Sequence, residues 1–78
     1  MNSQQLKKFL RDAYLDISFD YKDMHTLIQP RGSLRYDISC NHKFDENDIT
    51  FEELISTPFY DGKTILDISE EIEDLQEF

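Results

Sequence analysis

Leu6, Phe9, Leu10, Ala13 and Tyr14 recur at the i, i+3, i+4, i+7, i+8 spacing that gathers side chains on one helix face. The pattern predicts a helix over residues 3–15. Asn2 or Ser3 stands at the N-cap, and Gln5, three residues after Asn2, completes an approximate capping box. Past Leu15 the period shortens to two. Ile17, Phe19 and Tyr21 alternate with Ser18, Asp20 and Lys22, as in a short half-buried strand, although three Asp within residues 16–23 also suit a loop.

A hairpin follows. Met24–Gln29 and Ser33–Cys40 flank Pro30-Arg31-Gly32, where Pro fixes φ and Gly accepts a positive φ. Leu34, Tyr36, Ile38 and Cys40 alternate with polar neighbours, the pattern of a strand with one wet face. Residues 41–48 read as a polar turn.

Thr50 and Glu53 form a capping box, and Ile49 can staple to Leu54. Pro58 keeps that helix short, because it lacks a donor and restricts Thr57 before it. Thr64 and Asp67 read as the start of a last helix, with Ile65, Ile68, Ile72 and Leu75 as its apolar stripe. The expected architecture is a small α+β domain spanning residues 1–78, in the order α-β-β(-β)-α-α. A two- or three-stranded antiparallel sheet would pack against N-terminal and C-terminal helices.

Charge changes the picture most. Eight basic against seventeen acidic residues leave −9 over 78 residues. Residues 1–43 hold seven of the basic and five of the acidic residues; residues 44–78 hold Lys63 and twelve acidic ones. Direct binding of nucleic acid is disfavoured, since counterion release requires Lys and Arg. A single Cys excludes an internal disulfide framework. No apolar run exceeds three residues, which provides neither a membrane span nor a signal-peptide core, and the expected compartment is the reducing cytoplasm.

Catalytic and metal motifs are weak. Cys40-x-His42 with His25 falls short of four zinc ligands, and Cys40 occupies an apolar alternation position. An EF-hand counted from Asp45 places Thr50 and Ser56 where Gly and a carboxylate are required. There is no nucleophile elbow and no Gly-rich phosphate cradle, so neither an enzyme nor a cofactor is expected.

The acidic C-terminal segment is the lead that remains. Glu70, Glu71, Glu73, Asp74 and Glu77 lie outside the isoleucine stripe, and those near the end oppose a helix dipole. A solvated face that maintains solubility is one reading. Ion pairs with Lys7 and Arg11 of the first helix are another. The sharper expectation is a surface for a basic protein partner, with Phe59 and Tyr60 as an apolar contact inside an acidic rim. The alternative is a nucleic-acid mimic that blocks a DNA- or RNA-binding protein, its carboxylates standing in for phosphates.

Overall fold

Asn2 opens the first helix of the computed structural model, which describes residues 1–78. The capping box forms reciprocally around α1 (Ser3–Asp12). The Gln5 amide donates to Asn2 Oδ1 at 2.8 Å, and the Asn2 amide donates to Gln5 Oε1 at 3.0 Å. Leu6 and Leu10 are buried and Phe9 and Ala13 partly so. The helix ends three residues before the expected Leu15. Ala13 is already extended, Tyr14 is 82% exposed, and the chain turns here to deliver Ile17 to the core. The Tyr36 hydroxyl donates to the Leu10 carbonyl at 2.8 Å, an acceptor that also takes the Ala13 amide at 3.3 Å, and so ties the helix end to the strand that carries Tyr36.

Four strands follow as a meander: β1 (Ile17–Tyr21), β2 (Met24–Pro30), β3 (Arg35–Cys40) and β4 (Phe44–Thr50). With β5 (Glu73–Glu77) they make an antiparallel sheet of five strands in the order β4-β3-β2-β1-β5, instead of the two or three expected. Residues 17–21 are therefore strand. Lys22 turns β1 into β2 with φ 55°, and Ile17, Phe19, Tyr21, Met24, Thr26 and Ile28 all face the core. The β2–β3 hairpin is longer than Pro-Arg-Gly. Ser33 and Leu34 hold positive φ within the turn, Leu34 is exposed, and β3 begins at Arg35.

Residues 41–48 are not one polar turn. Asn41–Lys43 make the turn, with Asn41 at φ 45° and its side-chain amide donating to the Asp23 carbonyl at 3.0 Å. β4 then runs along the edge of the sheet. Phe44 pairs with Cys40, Glu46 with Ile38 and Ile49 with Tyr36, so two steps on β3 match three on β4 between Glu46 and Ile49. This is a β-bulge, and Asp48 sits in it at φ 55°. The extra residue lets Phe44 and Ile49, five apart in sequence, reach the same face.

The Thr50–Glu53 capping box starts α2 (Phe51–Ser56) as expected, and Phe51, Leu54 and Ile55 are buried. The C-terminal helix does not form. Thr64 and Asp67 do exchange hydrogen bonds at 2.9 and 3.2 Å, but these close only a turn that leads to a single 3₁₀ turn (Ser69–Glu71) and then β5. Ile65 and Ile68 are fully buried on this turn, while Ile72 and Leu75 pack at the core's margin. A turn, a 3₁₀ step and a bulged strand thus reproduce helical spacing. β5 also bulges, between Gln76 opposite Ser18 and Glu73 opposite Asp20, with Asp74 at φ 53°.

Candidate interaction surface

β4 and β5 are the two edge strands, so the topology sends the acidic half of the chain to opposite sides of the sheet. Asp45, Glu46 and Asp48 line one edge; Glu73, Asp74 and Glu77 line the other, continued by Glu70 and Glu71 of the 3₁₀ turn, and all eight are exposed. Four inter-strand steps of about 4.8 Å separate the edges by about 19 Å. Charged side chains and bulges on both edges also discourage strand-to-strand association.

The expected site residues divide. Glu70, Glu71, Glu73, Asp74 and Glu77 follow one edge of the sheet and none pairs with a cation, but the register sets Glu73, opposite Asp20, on the open face and Glu77, opposite Ile17, on the α1 side. The cations of α1 do not reach this strip: Lys8 meets Asp12 at 2.9 Å, Arg11 approaches Asp12 at 3.9 Å, and Lys7 forms no ion pair. Lys8 accordingly holds the Asp12 carboxyl below its usual range. Tyr60 does not join the strip. It is fully buried, with its hydroxyl 3.0 Å from Thr26 Oγ1, and burial pushes its ionisation far above the usual phenol range. Phe59 is half-buried and stacks on Phe44 with ring centroids 4.6 Å apart, between core and surface.

The β4 edge is held differently. The Asp48 amide donates to Asp37 Oδ1 at 2.8 Å, Arg31 binds Asp37 Oδ2 at 2.8 Å, and Arg35 binds the Asp48 carboxylate at 3.0 Å. The hydrogen bond from the Asp48 backbone lowers the Asp37 pKa, and Arg35 lowers that of Asp48. Asp37 and Asp48 are thus partly neutralised internally, whereas Asp45, Glu46 and the acids from Glu70 to Glu77 form no ion pair.

His25, Cys40 and His42 do not converge. Cys40 is buried on the core face beside Thr26, and desolvation raises its thiol pKa. His25 lies on the opposite face with Nδ1 2.6 Å from Asp20 Oδ1, and His42 is exposed in the β3–β4 turn. No three His, Cys, Asp or Glu side chains are placed to hold a metal ion. No helix is long and apolar enough to cross a membrane.

Sequence reasoning did not locate the groove on the uncovered side of the sheet. One residue from each strand forms a row across it: Gln76, Ser18, Leu27, Ser39 and Asp45. The two serines flank Leu27, and the groove, about 540 Å³, extends to Asp16 and Phe78 at one end and to His25 and Asn41 at the other. The alternating polar positions marked a wet face, but only the register joins them into one surface. Comparison of the chain with protein-family models, curated proteins and solved structures finds no match.

Proposed function

We propose that the protein is a non-enzymatic interaction module that binds a basic protein surface through its C-terminal acidic strip. One observation carries this reading: Glu70, Glu71, Glu73, Asp74 and Glu77 follow one edge of the sheet and are exposed, and none forms an ion pair with a cation of the chain. Like charges held this close repel one another, and a basic partner relieves that repulsion on binding. Because Glu73, Asp74 and Glu77 belong to an edge strand rather than a helix face, they are held along an extended, bulged backbone, with Glu70 and Glu71 on the 3₁₀ turn before it.

A second reading, nucleic-acid mimicry, draws support from the spacing of the acidic edges. Their separation of about 19 Å is comparable with the distance between phosphates across a major groove, whose open width is about 12 Å before the phosphates themselves are counted. A mimic is displaced from its partner by duplex nucleic acid; an ordinary acidic ligand of a protein surface is not.

The test is affinity capture from native lysate, in parallel with the wild-type chain and a variant carrying Glu70→Gln, Glu71→Gln, Glu73→Gln, Asp74→Asn and Glu77→Gln. Asn tolerates the left-handed backbone at position 74, so the bulge is preserved. A basic protein retained by the wild type and lost by the variant supports the reading. Equal retention by both overturns it.

A further inference from the structure

The helices and the segment from Tyr60 to Ile68 cover one face of the sheet, and the groove lies on the other. Its composition is selective. It contains no Lys or Arg, and its acceptors include the Asp16 carboxylate, two serine hydroxyls and the Gln76 amide. Asp20, Asp45 and Glu73 stand on the same face at register positions around it. His25, the one titratable base, already has Nδ1 engaged by Asp20.

Ser18 is the residue that β1 contributes to the groove. It is only 7% exposed, lines the groove, and its hydroxyl takes no part in the side-chain hydrogen bonds of the chain. The structure leaves no buried side-chain polar atom without a partner, so the Ser18 hydroxyl keeps its opening to the groove and is free to accept from an external donor. At the rim, Phe78 is 63% exposed, and its backbone amide donates to the Asp16 carbonyl at 2.9 Å, so the backbone that carries the ring is held beside a residue whose carboxylate has no ion pair.

We infer that this groove is the subsite for an arginine side chain of the basic partner. A guanidinium is planar, carries five donors and stacks on aromatic faces; the groove offers a carboxylate, hydroxyls spaced around Leu27, and the Phe78 ring. An ammonium supplies charge but neither the stacking plane nor the fork of donors, so the groove selects arginine over lysine. The inference rests on the reading of the protein as a ligand for basic surfaces and adds a specific anchor to it.

The experiment is a titration of the full, ¹⁵N-labelled chain with N-acetyl-arginine amide and with N-acetyl-lysine amide, followed by amide shifts. The expected result is saturable shifts at Ser18, Leu27, Ser39 and Gln76, with arginine binding several-fold tighter than lysine. Asp16→Asn and, separately, Ser18→Val should each weaken the arginine complex by about five-fold, the loss of one hydrogen bond. Shifts confined to residues 45–48 and 70–74, equal responses to the two amides, or the absence of saturable shifts would overturn the inference. The variant neutralised from Glu70 to Glu77 retains every groove side chain, so it should still bind the arginine probe. Failure of the groove is thereby distinguished from failure of the acidic strip.

Discussion

The Asp37 carboxylate accepts a hydrogen bond from the backbone amide of Asp48 at 2.8 Å, and this contact closes the bulge that lets an acidic strand end in the core. Asp37 also holds Arg31, while Asp48 holds Arg35, so one carboxylate links the β2–β3 turn to the bulge of β4. Asp37→Ala removes both contacts of Asp37 and leaves the Asp48 amide without its partner. A lower urea midpoint with an unchanged m-value is expected.

Acid should destabilise the protein. Asp12, Asp37, Asp48 and Glu53 all have folded pKa values lowered by hydrogen bonds and neighbouring cations. A lowered folded pKa contributes stability that is present above the unfolded value and lost as pH falls through the folded one. The urea midpoint should therefore fall as pH drops below about 4, the ordinary carboxylate range. Stability that keeps rising down to about pH 2 would show that relief of charge repulsion dominates instead.

Thr26 and Tyr60 form a buried hydroxyl pair with the Cys40 thiol beside Thr26 and no charged group in the bond. Thr26→Val leaves the Tyr60 hydroxyl buried without its partner, and Tyr60→Phe does the same to Thr26. Each is expected to cost about 1–3 kcal/mol. The double variant should lose clearly less than the sum, because it leaves neither group unpaired. Strict additivity in urea unfolding would mean the hydroxyls are not coupled.

Salt should stabilise the fold. With −9 net charge and the C-terminal acids unpaired, screening weakens repulsion as the Debye length falls to about 8 Å at physiological ionic strength. The melting temperature should rise between low and physiological NaCl. A fall would indicate that the pairs around Asp37 and Asp48 outweigh the repulsion.

Local chemistry explains why parts of this fold are readable and others are not. Asn2–Gln5 and Thr50–Glu53 carry their meaning within four residues, and both capping boxes stand where the sequence places them. β4 and β5 depend on non-local pairing. Their Asp and Glu residues disfavour strands in isolation, and the bulges at Asp48 and Asp74 interrupt the two-residue alternation that marks a strand. Thr64–Asp67 shows the converse, a cap that forms without a helix behind it. Tyr60 beside Phe59 resembles a surface aromatic pair; only the packing of Thr26 beneath it reveals a core residue. The groove around Ser18 and Ser39 was invisible for the same reason, since its members come from separate strands.

In the proposed function, the unpaired carboxylates from Glu70 to Glu77 provide the binding energy for a basic partner. The most direct test is the partner's Kd measured across a series of NaCl concentrations for the wild type and for the chain neutralised at those five positions. Weaker binding and a shallower salt dependence in the neutralised chain are predicted. Unchanged affinity with an unchanged salt slope would contradict the account and leave the acidic edges with solubility and edge protection as their role.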